Sequence, residues 1–356
     1  MNLIIPAAGR STRFPGVRPK WMLTHPNGNL MITEAIRNLN LEQVSNIFVV
    51  ILEEHANMYH CIDGLKQAFQ NIGTGDKLKI VILPEPTKSQ PETVARAIEQ
   101  AQIVGPILIK DSDNTFRCTV EPKNAVAIFD LNKMKRVNPS NKSYVTLDDN
   151  GFINNIVEKQ VISSFFSVGG YSFASSGEYR RFYEKLKDRE NLYISHIIYE
   201  MMLNEIAFEP IHVAEYEDWG TLHDWDTYKR RFSTIFIDLD GILVQNSGEY
   251  FEPFWGTTGA IRENVEVVNA LYDSGKVKIV ITTTRKEKYR DVTIEQLKRE
   301  GIKYHTIIFD LPHSKRVIIN DYAKSNPYKS CDAINIKRNS ADLKEMLEES
   351  LGFNVE

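Results

Sequence analysis

Short apolar runs recur through the first half of the chain, NLIIP, NIFVVIL, LKIVILP, PILIKD, NAVAIFDL and SFFSVGGYSF, with amphipathic stretches between them. A run of four to eight apolar residues bounded by turn residues suits a buried strand. Alternation of such runs with helix-period segments implies a layered α/β architecture around a largely parallel sheet. PETVARAIEQAQ supplies one of the helices, with Val94, Ala97, Ile98 and Ala101 on one face and a proline in its first turn. After DTYKRRFS the pattern restarts: TIFID, VKIVITT, TIIFD, RVIIND and DAINI each read as strands, interleaved with the helix-like ENVEVVNALYDSG and VTIEQLKREG. In a chain of 356 residues such a restart implies a second α/β domain. The expected domains are 1–231 and 232–356. No Pro-, Gly- or Ser-rich linker separates them, so they are expected to be closely docked.

Charge and cysteine content narrow the partners. Lys and Arg number 43 against 47 Asp and Glu, a formal net charge of −4 that offers no general attraction to nucleic acid or anionic lipid but leaves room for a local cationic pocket. YKRRF, although basic and aromatic, reads as a solvated helix end rather than a nucleic-acid patch. Cys61, Cys118 and Cys331 are odd in number and far apart, which favours reduced thiols in a cytoplasm over a disulfide framework or a metal knuckle. No stretch reaches the roughly 18 apolar residues of a spanning helix, and the opening LIIP is stopped by proline too early for a secretory leader. A cytoplasmic protein with neither membrane nor nucleic-acid partner is expected.

IIPAAGRSTRFPGVRPKWML, Ile4 to Leu23, sets the small residues Ala7, Ala8 and Gly9 directly after an apolar run and follows them with Arg13 and Lys20. Small residues let backbone N–H groups approach phosphate oxygens, and the cations offset the charge that develops as pyrophosphate leaves. A tight surface turn with solvated charges would look the same in isolation. LIKDSDNTF then places Asp111 and Asp113 at the end of another apolar run, and EDWGT places Asp218 before a glycine-threonine turn. Two carboxylates at strand ends can share a Mg²⁺ between a nucleotide and an incoming phosphate. Between them stand VEKQ, with Glu158 and Lys159, and VGGYSF, with Gly169, Gly170 and Tyr171.

On these residues, positions 1 to about 230 resemble the nucleotidyltransferases that activate sugar 1-phosphates or phosphocholine with an NTP. AAGRSTR and RPK match that family's GxGTR-type loop and PK, with Ser11 where glycine is common. Asp113 and Asn114 match its GDN strand end, Asp218 its DxGT turn, and Lys159 the lysine of its EKP, although Gln160 replaces the proline. The resemblance implies a Rossmann-like, GT-A-like mixed sheet. It implies an NTP held by Ala7, Ala8, Gly9, Arg13 and Lys20, a phosphorylated sugar or small phospho-alcohol held by Glu158, Lys159 and Gly170, and Mg²⁺ at Asp113 and Asp218. Arg13, Lys20 and Lys159 would stabilise charge during in-line attack on the α-phosphorus. Base recognition is expected from the loop before PETVARAI, including Glu85 and Thr93.

In the second series IFID ends at Asp238 with Asp240 two positions on, KIVITT ends at Thr283, and RVIIN ends before Asp321. Parallel strands present their carboxyl ends at one sheet edge, where open α/β sheets bind ligands. A nucleophilic carboxylate, a second carboxylate for proton transfer, a hydroxyl for phosphate oxygens and a metal-binding acid are the components of phosphoryl transfer through an aspartyl-phosphate. Residues 232–353 resemble the haloacid dehalogenase superfamily, with a Rossmann-like parallel sheet and no large cap. The resemblance implies Asp238 as nucleophile, Asp240 as acid/base, Thr283 as the phosphate-binding hydroxyl, and Mg²⁺ on Asp238, the Asp240 carbonyl and Asp321. Ile242 replaces the usual threonine, and Leu311-Pro312 the usual lysine-proline, leaving Lys315 either as the substitute phosphate ligand or as a solvated charge.

Two functional readings follow. One is a bifunctional enzyme serving capsule or surface polysaccharide precursors, in which a bisphosphorylated sugar loses one phosphate at the second site and is activated at the first. The other is a cytidylyltransferase for a phospho-alcohol such as phosphocholine, with the carboxy-terminal domain as a docking or oligomerisation module. A homo-oligomer is compatible with either, since an uncapped site would either accept bulky substrates or borrow cover from the first domain or another subunit.

Overall fold

The computed structural model describes residues 1–9, 16–134, 141–321 and 330–352. The chain divides into two compact units, Met1–Trp225 and Asp226–Glu356, the division falling inside the helix Leu222–Lys229.

The central sheet of the first unit runs in the order Glu209–His212, Ala125–Asp130, Phe165–Phe173, Ile107–Lys110, Asn2–Pro6, Asn46–Leu52, Leu78–Leu83. The last four are parallel to their neighbours among one another. Phe165–Phe173 is antiparallel to the strands on both of its sides, so the sheet is mixed. The hairpin Ser143–Leu147 and Ile153–Glu158 joins it along Phe165–Phe173. Every residue of Asn46–Leu52 after Asn46 is buried, as a strand covered on both faces requires. Alternate side chains of Asn2–Pro6 enter separate cores: Ile4 packs with the helix Gln90–Gln100, while Leu3 and Ile5 pack with Leu65 and Phe69 of the helix Ile62–Asn71. Gln90–Gln100 is capped by the Ser89 hydroxyl, which accepts from Glu92 N, and it buries Val94, Ala97 and Ile98 as the sequence pattern requires. A small sheet of Ala214–Asp218, Asn114–Thr119 and Leu39–Asn40 leaves the main one immediately after Ile107–Lys110.

In the second unit Ser233–Asp238, Val277–Thr282 and Thr306–Ile308 form a parallel sheet in that order, and the register sets Asp238 beside Thr282. Arg262–Asp273, Arg290–Arg299 and Leu343–Leu351 are its longer helices. The strands expected at RVIIND and DAINI do not form among the described residues. Val317, Ile318 and Ile319 are exposed, Ile319 at 92%, whereas Ile334 and Ile336 pack on the core without pairing. The sheet is therefore narrower than a dehalogenase-type domain implies. Apolar, β-branched sequence favours a strand only where a neighbouring strand supplies hydrogen bonds and a packing face, and residues 316–321 have neither.

Asn264 anchors the loop that follows Asp240. Wholly buried, it donates to Ile242 O at 2.8 Å and Ser340 O at 2.9 Å and accepts from Leu343 N at 3.3 Å. Asn264→Leu keeps the volume and orphans three main-chain groups, so it is expected to cost this unit about 3 kcal/mol, read as a lowered urea midpoint for its unfolding transition.

Candidate functional site

Ile107–Lys110 ends in a lysine with no exposed surface. Its Nζ donates to Asp111 O at 2.8 Å, Asn114 O at 2.9 Å and Asn114 Oδ1 at 2.6 Å, and lies 4.7 Å from the Phe116 ring centroid. Compensation of this extent is what a buried ammonium needs. Desolvation still lowers its pKa to about 8, against the pull of Asp111, Asp113 and Asp218. The three bonds fix the turn bearing Asp111 and Asp113.

Asp111 N donates to Gly169 O at 2.8 Å, and Gln90 Nε2 donates to Asp111 Oδ1. Burial first, then the Asp113 charge, raises the Asp111 pKa to about 6. Gly169 has φ +76°, and a Cβ there would lie 2.1 Å from Asp111 Oδ2, so the position admits glycine on both counts. At Gly170 a Cβ would meet the Phe116 ring at 2.7 Å and Ala127 Cβ at 2.9 Å. Close packing against Phe116 and Ala127 therefore selects glycine there.

Asp113 and Asp218 are brought together by the small sheet. Its antiparallel register sets Asp218 opposite Asn114, and Trp219 N donates to Asp113 O at 2.8 Å. Lys20, at the start of a short 3-10 turn, forms an ion pair with Asp113. Lys142 forms one with Asp218 and also donates to Tyr216 OH at 2.8 Å. Desolvation, followed by Asp218, Asp113 and Asp111, pushes the Tyr216 phenol well above its ordinary value. Among the described residues, three carboxylates thus face the ammonium groups of Lys20, Lys110 and Lys142.

The flanking residues are distributed unevenly. Glu158 Oε2 accepts from Ser195 Oγ at 2.9 Å and from Ser143 Oγ. Lys159, at φ +58°, donates its N–H to Lys142 O at 2.8 Å and its Nζ to Tyr193 OH at 2.6 Å. Ala7 and Ala8 are buried at the end of Asn2–Pro6, and Gly9 is exposed with open space where a Cβ would sit. Arg13 lies outside the described residues. Thr93 does not present a base-reading hydroxyl: it is buried, 2.6 Å from the Thr87 hydroxyl, and donates to Ser89 O at 3.2 Å. Glu85 is exposed on the preceding loop.

No protein-family model and no curated protein matches the chain. Solved structures do. The nucleoside-diphosphate-sugar pyrophosphorylase of Vibrio cholerae RC9 is similar at 18% identity and TM-score 0.54, over 64% of this chain and 98% of that one. A Bacillus anthracis protein assigned as a glucose-1-phosphate thymidylyltransferase is similar at 16% and 0.51, over 64% and 92%. The inositol-1-phosphate CTP transferase of T. maritima is similar at 13% and 0.50, over 64% and 93%. The amino-terminal unit has a nucleotidyltransferase fold. At these identities the likeness is one of fold, and the nucleotidyltransferase-like unit accounts for the share covered.

Beyond the nucleotidyltransferase-like unit, Asp238 ends its strand part-exposed, its Oδ1 accepting from Leu239 N at 3.0 Å and from an Arg316 guanidinium nitrogen at 3.2 Å. Arg316, not Lys315, is the cation at this carboxylate; Lys315 is exposed. Asp240 was expected to move protons, yet Arg285 Nε and a terminal nitrogen fork onto its two oxygens at 2.9 and 2.8 Å, and Ser247 Oγ donates to it at 2.8 Å. Arg285 is wholly buried and donates onward to Thr293 Oγ1 at 3.1 Å and Gln296 Oε1 at 2.7 Å. Three donors from two side chains thus hold the Asp240 carboxylate in place. Thr283, expected to bind phosphate, is fully buried, and its hydroxyl accepts from Arg285 N at 3.1 Å. Asp321, expected at a strand end, is exposed outside any strand, and no cluster of three His, Cys, Asp or Glu side chains that could hold a metal ion forms among the described residues.

Of the residues that sequence reasoning missed, Lys110 carried a faint signal, a cation closing an apolar run, and Arg285, behind three threonines and before Lys286, carried none. Lys142 carried none.

An acid whose folded pKa is raised binds its proton more tightly when folded. Asp111 therefore costs nothing below its unfolded value near 3.8, and destabilises as pH rises through about 6. Asp111→Asn is expected to leave stability near wild type at pH about 4 and to raise it by about 2 kcal/mol at pH about 8, measured by urea unfolding at both.

Proposed function

We propose that the amino-terminal unit transfers a nucleotidyl group from an NTP to a phosphorylated small molecule and releases pyrophosphate. The meeting of Asp113, immediately before its strand, with Asp218 at the end of the neighbouring one, each paired with a lysine, carries the reading. Relatives of the fold named for inositol 1-phosphate and nucleoside-diphosphate sugars favour an acceptor whose phosphate sits on a polyhydroxylated ring.

Asp113 and Asp218 suit Mg²⁺, which takes hard oxygen donors, commonly one or two carboxylates, and completes its shell with substrate phosphates and water. When bound it would neutralise phosphate charge between nucleotide and acceptor. Ala7 N donates to Val50 O at 2.8 Å, so the main-chain N–H groups offered to the nucleotide phosphates are those of Ala8 and Gly9, and Lys20 exchanges Asp113 for the departing pyrophosphate. Glu158, oriented by Ser143 and Ser195, accepts from an acceptor hydroxyl, and Lys159 binds on the same side. An acceptor phosphate oxygen attacks the α-phosphorus as the bond to pyrophosphate breaks. The attacking oxygen is already ionised, so no general base is needed, and catalysis is alignment with charge stabilisation.

A matrix of NTPs against sugar 1-phosphates, inositol 1-phosphate and phosphocholine, read by pyrophosphate release, tests this. One pairing is expected to turn over, and Asp218→Asn to lower its kcat by about a thousandfold. Pyrophosphate from no pairing would sink the proposal.

For the carboxy-terminal unit the reading is phosphate-monoester hydrolysis. Asp238 would attack phosphorus, the alcohol would leave, and water would then cleave the aspartyl-phosphate. A part-exposed carboxylate at the carboxyl end of a strand, with Arg316 beside it to receive phosphate oxygens, favours this. A bisphosphorylated sugar would lose one phosphate here before activation in the first unit, toward a surface polysaccharide precursor. With no pyrophosphatase present, Asp238→Asn is expected to abolish orthophosphate release from sugar bisphosphates and leave pyrophosphate release unchanged. Equal orthophosphate release by variant and wild type would leave the unit a docking or oligomerisation module.

A further inference from the structure

We propose that Lys142 binds the phosphate of the acceptor, and that its pairing with Asp218 is the resting state of a side chain that changes partner when metal and acceptor arrive. The proposal rests on the nucleotidyl-transfer reading and adds a residue outside every motif that supports it.

The first ground is position. The Lys142 carbonyl accepts from Lys159 N at 2.8 Å, and its neighbour Ser143 pairs with Glu158 in the hairpin ladder and donates its hydroxyl to the Glu158 carboxylate. Lys142 is therefore where the strand carrying Glu158 and Lys159 meets the Asp113 and Asp218 pair. The Lys159 ammonium is turned to the Tyr193 hydroxyl and ring, so it addresses another part of the acceptor.

The second ground is charge. The Lys142 side chain is only 13% exposed, and its ammonium lies near the rings of Tyr216 and Phe166, at 5.3 and 5.7 Å from their centroids. A desolvated ammonium needs an anionic partner. A divalent cation at Asp218 takes the anion Lys142 now has and leaves it the Tyr216 hydroxyl. An ammonium has three donors; with one kept on Tyr216, the others suit two oxygens of a phosphate monoester dianion. Lys142 then competes with a metal at Asp218 until phosphate draws it away, and metal and phosphate favour each other's binding reciprocally.

The test uses the full chain, Mn²⁺ as the metal probe followed by electron paramagnetic resonance, and inorganic phosphate as the anion. Wild type is expected to bind Mn²⁺ weakly, and about tenfold more tightly with saturating phosphate. Lys142→Met is expected to bind Mn²⁺ alone about tenfold more tightly than wild type, with no further gain from phosphate, and Lys142→Arg to restore the gain. Lys142→Met with wild-type affinity and wild-type phosphate coupling overturns the proposal. So does Lys142→Arg without the coupling, which decides the matter if the Met variant fails to fold. Pyrophosphate release is scored separately. Coupling in a wild-type chain that transfers nothing overturns the transfer reading and upholds Lys142 as an anion ligand. Transfer with an unchanged acceptor KM in Lys142→Met overturns the Lys142 proposal alone.

Discussion

The Lys110 ammonium, without exposure to water, gives its donors to Asp111 O, Asn114 O and Asn114 Oδ1 and so closes the turn between two sheets. On one side of that turn the chain runs in the central sheet between Asn2–Pro6 and Phe165–Phe173; on the other it pairs with Ala214–Asp218. The change of sheets at this point sets Asp113, at the entry to one strand, beside Asp218, at the end of its neighbour. A hydrocarbon in place of Lys110 would leave the same carbonyls buried without donors, which is why a cation is tolerated in a run of otherwise apolar residues.

The second unit has a comparable problem, an acidic strand end beside a buried cation, and a different solution. Lys142 and Lys20 meet their carboxylates as flexible point charges, contacts that a competing ion can displace. Arg285 meets Asp240 through a planar fork whose remaining nitrogen is fixed by Thr293 and Gln296. A bidentate pair with a satisfied third side has no low-cost alternative arrangement. The acidic group of the first unit is thus held by ion pairs that can exchange. In the second unit Asp240 is held by a fork, and Asp238 is the more exposed of the two carboxylates.

The parallel strands of the first unit were legible because burial on both faces leaves an uninterrupted apolar signature, and Asn46–Leu52 carries it in full. The helix Gln90–Gln100 was legible from Ser89, Pro91 and the spacing of Val94, Ala97 and Ile98. RVIIND has the same composition and forms no strand, because pairing is a property of a neighbour and composition does not record it. Arg316 rather than Lys315 at Asp238 is a question of where each side chain points, which an irregular segment leaves undetermined by spacing. Asp113 and Asp218 could be placed by motif, whereas Lys142 could not. Its importance comes from a register that pairs Ser143 with Glu158 and from a tyrosine on a distant strand, neither of which has a local correlate.

The charge around the candidate site bears on the order of its events. Among the described residues Asp111, Asp113 and Asp218 are matched one for one by Lys20, Lys110 and Lys142, with Asp111 and Lys110 shifted to about 6 and about 8, so both remain largely ionised near neutrality. A divalent cation entering this group alone would leave two positive charges in excess in a poorly solvated place, a state that Coulomb repulsion disfavours. A nucleotide triphosphate brings the compensating charge with it. On the proposed nucleotidyl-transfer reading the cation therefore enters already chelated by nucleotide phosphates, Lys20 passing from Asp113 to phosphate while Lys110 keeps its bonds to the turn.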